Sequence, residues 1–129
     1  MARYRVADLF LDTHPYNAGT TASDALRMGL PVLTCIGSSF ASRVAASVIN
    51  AVNLPELITT SQDQYESLAI ELATDPEKLK IIKDKLVDNL STATLYNTPL
   101  FTRHLESAYL TMYDRYQNGL DPDHIYVEL

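Results

Sequence analysis

The sequence predicts an α/β domain built on a small parallel sheet and followed by several C-terminal helices. Three observations carry that expectation. Two short apolar runs, ADLFLD at about 7 to 12 and PVLTCI at about 31 to 36, are bounded by turn residues, as buried parallel strands are. Each runs into a small-residue loop that opens a helical pattern, and two such strand, loop, helix units in succession imply a parallel sheet with a ligand crevice beyond the carboxyl ends of its strands. The chain beyond about residue 61 carries apolar residues at three-to-four spacing, which is the period of amphipathic helices.

Taken in order, the first strand should lead through the loop THPYNAG to a helix of about ten residues that ends at Gly29, with Pro31 just beyond as a stop. The second strand should run into Gly37, Ser38 and Ser39, with Ser39 able to cap a helix carrying Phe40, Val44, Val48 and Val52 at intervals of four. The segment ELIT after Pro55 is a candidate third strand. Ser61 with Gln64 forms a capping-box start for a helix bearing Tyr65, Leu68 and Leu72. Asp75-Pro76 starts another bearing Leu79, Ile82, Leu86 and Leu90, with Lys78, Lys80, Lys83 and Lys85 on its solvated face. A last helix from about Pro99 to Asn118 lines up Phe101, Leu105, Tyr109, Met112 and Tyr116 as a packing stripe and stops at Gly119.

At 129 residues with 47% hydrophobic content, the chain suits a single domain, with a βαβα core over 1–60 and a helical part over 61–129. A formal net charge of -6 disfavours nucleic acid and anionic membrane as partners, so any phosphate site must rest on local amides and a few cations, with Arg3, Arg5 and Arg43 as candidates. Cys35 is the one cysteine, which excludes an internal disulfide and a cysteine-based metal cluster; core packing in a strand accounts for it. No apolar run reaches the length of a membrane span, and MARYRVAD lacks the apolar centre of a signal peptide, so the expected location is cytoplasmic. A doubly wound sheet usually has five or six strands; the two or three visible here suggest that others lie in sequence before Met1.

The stretch DTHPYNAGTTASDAL is where chemistry concentrates. Thr20 and Thr21 sit where the first backbone N–H groups of a helix lack intrahelical partners, so hydroxyls and amides converge on one anion. Asp24, a turn further on, is placed to accept hydrogen bonds from the sugar hydroxyls of a nucleotide. Thr21-x-x-Asp24 equally resembles a capping box that only starts a helix, and the two roles are compatible. His14 lies in the same loop, His104 in the last helix and His124 in the polar tail, with no metal-ligand spacing among them and no hydrolase triad signature. Asn17 is read as a turn former, and Arg43 as either an ion-pair partner or a ligand-facing cation. Asp12, at a strand end, also permits a phosphoacceptor receiver domain, although the acidic pair and downstream lysine such a site needs are not evident.

The run ADLFLDTHPYNAGTTASDALRMGLPVLTCIGSSFASRVAAS resembles the C-terminal catalytic region of the O-linked N-acetylglucosamine transferase and SPINDLY family, and DQYESLAIELATDPEKL and LFTRHLESAYLTMYDRYQNG are similar to its closing helices. The resemblance implies the end of the second, Rossmann-like lobe of a GT-B glycosyltransferase. It implies a UDP-sugar donor, with UDP-N-acetylglucosamine first among the candidates, no cofactor and no metal, and inverting transfer to serine or threonine hydroxyls of a protein acceptor. By the same resemblance Thr20 and Thr21 match paired threonines at the diphosphate, Asp24 an aspartate on the ribose, and Arg3 a basic residue near the nucleotide. Gly19 stands where many relatives have a histidine, which removes one donor to phosphate. The N-terminal lobe, with the acceptor and base groups, and tetratricopeptide repeats are expected outside this sequence, so the chain alone is expected to bind donor without turning over. A non-enzymatic interaction module derived from the same fold is the alternative.

Overall fold

The computed structural model describes residues 2–127 and forms two compact units, Met1–Ala93 and Thr94–Leu129. The first unit holds a three-stranded parallel sheet in the order β1 (Phe10–Leu11), β2 (Val32–Cys35), β3 (Ile58–Thr59). Phe10 pairs with Val32 and Leu11 with Leu33, while Thr34 pairs with Ile58 and Cys35 with Thr59. The expected strands are thus present but shorter than their apolar runs, because only the residues facing a neighbour enter the ladder. All four residues of β2 are buried, and the strand touches α1 (Thr20–Arg27), α2 (Val44–Ala51) and α3 (Gln62–Thr74). That is the environment in which a strand reads as a continuous apolar run without alternation. Cys35 is buried there as a free thiol.

Helix ends follow the local chemistry closely. After α1, Gly29 adopts φ 79°, and the Gly29 and Leu30 amides donate to the Leu26 and Ala25 carbonyls, so the left-handed residue that closes the helix is the glycine the sequence supplies. Ser61 caps α3 by accepting from the Gln64 amide at 3.2 Å, but the reciprocal half of the box goes elsewhere: Gln64 Oε1 accepts from the Thr60 amide and hydroxyl. Asp75 caps α4 (Pro76–Leu90) by accepting from the Lys78 amide at 3.0 Å, with Pro76 at the first helical position.

Three expectations are corrected. The interval-of-four stripe from Phe40 to Val52 does not form one core face: Phe40 is 88% exposed in a 3-10 turn (Phe40–Ser42), Val44 and Val48 are half-buried, and Val52 at the end of α2 is buried beside the core residues Ala45, Ala46 and Ile49. The physical cause is a phase break at Arg43, which ends the 3-10 turn and caps α2, so a single helical period cannot run through both. The lysines of α4 are not merely solvated. Lys83 bridges to Asp8 and Lys85 to Glu56, each at 2.7 Å, tying α4 to the turns before β1 and before β3, while Lys78 pairs with Glu71 and Lys80 with Asp84. Exposed pairs of this kind are worth at most about 1 kcal/mol each. Finally, α5 (Thr98–Gln117) in the second unit buries none of its residues, and Phe101, Tyr109, Met112 and Tyr116 are all exposed. The stripe is helical as predicted, but nothing among the described residues of its own unit buries it. In the same unit Arg115 reaches back to the Asp121 carbonyl and lies 3.8 Å from Asp123. Among the described residues no helix is long and apolar enough to cross a membrane.

Candidate functional site

Because the three strands are parallel, the loops after β1 and β2 both emerge at the carboxyl edge of the sheet. The first of them, residues 12–19, ends at α1. Gly19 is the N-cap residue of that helix, with φ −100° and ψ −89°, and no side chain caps it. The Gly19 carbonyl accepts from Ser23, so the amides of Thr20, Thr21 and Ala22 form the uncapped first turn, the position at which backbone N–H groups and the positive end of the helix dipole favour an anion. The capping-box alternative is therefore corrected: Thr21 is inside the helix rather than before it, and the helix starts one residue early at Thr20. A box built on Thr21 and Asp24 has no place at that register.

Thr20 and Thr21 are exposed and Asp24 is half-buried one turn on. Arg3 lies in a 3-10 turn (Ala2–Val6), fully exposed, with its guanidinium carbon 5.3 Å from the centroid of the buried Tyr4 ring. Tyr4 raises the Arg3 pKa further above its ordinary value and Asp24 adds a smaller electrostatic contribution in the same direction. Arg3 thus lies close enough to Asp24 for their charges to interact, and Asp24 shares α1 with Thr20 and Thr21. Gly19 requires no glycine: its φ is ordinary, and an added Cβ would rest 3.5 Å from Val44 Cγ1, normal contact. A cavity of about 340 Å³ lined by Asp12, Thr13, Tyr16, Asn17, Gly19 and Thr21 opens beside this helix start. A larger groove of about 630 Å³ between Leu9, Leu11, Leu72, Pro76 and Leu79 is mostly apolar, and the two lysines at its rim, Lys80 and Lys83, are paired with Asp84 and Asp8.

The loop is held by a residue whose role the sequence reading missed. Asp12 is 6% exposed, and its carboxylate accepts from the Thr13 amide at 2.8 Å, the Ala18 amide at 2.7 Å and the Thr34 hydroxyl at 2.6 Å. A carboxylate so buried and so fully engaged is no phosphoacceptor, which removes the receiver alternative. The available signal was an aspartate opening a turn-rich loop, a residue that bonds backbone amides ahead of it, together with a threonine inside an otherwise apolar strand. Asn17 shapes the turn as expected, its amide group donating to the Thr13 carbonyl at 2.8 Å. Ser39 caps its 3-10 turn reciprocally with Ser42. Arg43 donates to the Gly37 carbonyl at 3.2 Å, and no ion pair of Arg43 is seen among the described residues. His14 is exposed, with Cε1 3.4 Å from where a Cβ on Gly37 would stand, so the two loops meet there.

Tyr65 on α3 donates to the Asp12 carbonyl at 2.8 Å, bracing the strand end from below. Tyr65→Phe is expected to cost about 1 kcal/mol at neutral pH through that lost bond. Burial, then Asp12 and Cys35, hold the phenol's pKa above its ordinary value of 10.0. The folded chain therefore keeps this proton more tightly than the unfolded one, and the contribution is complete below the unfolded pKa and lost as pH rises through the folded one. Urea unfolding at neutral pH and at about pH 11 checks both parts: wild type should lose stability toward alkali more steeply than the phenylalanine variant.

Comparison with known proteins supplies the family. Residues 1–105 match the model of glycosyl transferase family 41. Over 95% of the chain, a probable UDP-N-acetylglucosamine–peptide N-acetylglucosaminyltransferase SPINDLY of Hordeum vulgare is 38% identical, and a UDP-N-acetylglucosamine–peptide N-acetylglucosaminyltransferase of Caenorhabditis elegans is 35% identical. The chain spans 13% and 11% of the length of those two relatives. A solved structure of an O-GlcNAc transferase mutant of Thermobaculum terrenum superposes with a TM-score of 0.82 at 34% identity, covering 92% of this chain and 23% of that one. The α/β fold is accordingly that of a GT-B glycosyltransferase part, and the chain belongs to glycosyl transferase family 41.

Proposed function

We propose that this chain forms part of the donor site of a protein O-glycosyltransferase that takes a UDP-sugar, UDP-N-acetylglucosamine, and transfers the sugar to serine or threonine hydroxyls with inversion and without a metal. The observation that carries this reading is the uncapped first turn of α1, with two exposed threonines and a half-buried aspartate one turn on, at the carboxyl edge of a parallel sheet. As the glycosidic bond breaks, the leaving diphosphate gains negative charge. Aligned amides of Thr20, Thr21 and Ala22 and the two threonine hydroxyls stabilise that charge where it develops. Asp24 accepts from the ribose hydroxyls, and Arg3 adds a permanent cation beside the nucleotide. Gly19 supplies no side-chain donor, so phosphate binding falls on the backbone and the threonines. The groups that position the acceptor and the base that deprotonates its hydroxyl belong to the other lobe, with tetratricopeptide repeats ahead of it, and the 129-residue chain binds donor without turnover.

Titrating the isotope-labelled chain with UDP in magnesium-free buffer tests this. Amide shifts should cluster on Gly19 to Asp24, with a Kd of roughly 1 mM, about 4 kcal/mol of binding, as suits half a cleft. An interaction module without a donor site, the reading that the exposed stripe of α5 favours, predicts no response at that concentration.

A further inference from the structure

The proposed diphosphate site depends on the geometry of one loop, and that loop is closed by a single carboxylate. One oxygen of Asp12 accepts from the amide next along the chain, Thr13, and from the amide of Ala18, while the other accepts from the Thr34 hydroxyl. Residues 13 to 18 are thereby drawn into a ring whose far end, Ala18, immediately precedes the N-cap Gly19. Thr34 is itself held, its carbonyl accepting from the Thr59 hydroxyl at 3.0 Å, so hydrogen bonds run from β3 through β2 to the loop. Asn17 adds a second brace from its own amide to the Ala41 carbonyl at 2.9 Å, joining the loop to the segment before α2.

Burying a carboxylate is costly unless every lone pair that leaves water finds a donor, and charge-assisted bonds are about twice as strong as neutral ones. An alanine at this position could hold neither loop amide. Resting on the UDP-sugar reading above, we infer that Asp12 is the positioning residue of the diphosphate site: its carboxylate fixes where α1 begins and so aims the Thr20, Thr21 and Ala22 amides before phosphate arrives. Asp12 does not touch the ligand. It is buried, its oxygens are occupied, and a free carboxylate there would repel the phosphates. Preorganisation of this kind favours binding because the ordering of the loop is not left to the ligand.

The test compares Asp12→Ala and Asp12→Asn in the full 129-residue chain, with UDP as the probe and amide spectra as the readout. Asparagine keeps one oxygen for the Thr13 and Ala18 amides and turns its NH2 toward Thr34, so UDP affinity should stay within about threefold of wild type. Alanine should weaken UDP by about tenfold or more and move the Thr13 and Ala18 amide signals, with the signals of Leu33, Ile49 and Leu54 in place. A merely structural role would lower the stability of both variants without separating their affinities. If Asp12→Ala does not fold, Thr34→Val serves, since it withdraws one donor and should cost about threefold in UDP affinity with shifts at Ala18. A folded alanine or valine variant that binds UDP as wild type does would overturn the inference. Failure of the wild-type chain to bind UDP would instead sink the donor-site reading on which it rests.

Discussion

Thr21→Glu is expected to abolish measurable UDP binding while leaving the chain as stable as wild type or slightly more so. Thr21 is exposed at the second position of α1, where no side chain caps the helix. A carboxylate there interacts favourably with the helix dipole, worth about 0.3–1 kcal/mol of stability. The same charge opposes a diphosphate at the same helix start. Two like charges about 5 Å apart at an effective dielectric of 20 repel by about 3 kcal/mol, more than a hundredfold in affinity. Stability and binding therefore move in opposite directions, which a damaged fold cannot mimic. Thermal melting paired with UDP titration reads both quantities. Unchanged UDP affinity in this variant would place the phosphates somewhere other than the start of α1.

Leu26→Ala should be among the most destabilising single changes in the chain, by about 3 kcal/mol, because it removes a fully buried side chain and leaves a cavity that its neighbours fill only in part. Leu26 has no exposed surface, and α1 contacts both β2 and α2. Tyr109→Ala, the loss of a larger side chain from α5, should by contrast change stability by less than about 0.5 kcal/mol, since Tyr109 is 58% exposed. Urea unfolding of the two variants side by side checks the contrast. Comparable losses would mean that the apolar stripe of α5 is buried in solution.

Those two residues also mark where the sequence was informative and where it was not. Leu26 sits in a helix that local chemistry closes at its end, with the left-handed Gly29, so the element was legible, although its buried face, Ala22, Ala25 and Leu26, was not named from the sequence. The buried run of β2 and the caps at Ser39, Ser61 and Asp75 were legible for the same reason, since each depends on a few adjacent residues. Tyr109 lies in a stripe whose period predicts a helix correctly but cannot say what the helix packs against, because that partner is not local. The Phe40 stripe failed because a one-residue phase break at Arg43 is invisible to a periodicity count.

The candidate site divides along the same line. Thr20, Thr21 and Asp24 were legible from their place after an apolar strand and small-residue loop, although the capping alternative fell only once the helix start was fixed at Thr20. Asp12 was noticed only as a strand-end aspartate. Its work depends on Thr34, 22 residues away, and on Tyr65, 53 residues away, and contacts that distant leave no pattern in a single sequence.

The claim that the first turn of α1 holds the diphosphate is tested most directly by comparing UDP with uridine on the labelled chain. With UDP, the amides of Thr20, Thr21 and Ala22 should show the largest shifts, and with uridine at equal concentration those three should stay near their free positions. Equal shifts from uridine and UDP at these amides, or UDP shifts that leave them unmoved, would contradict it.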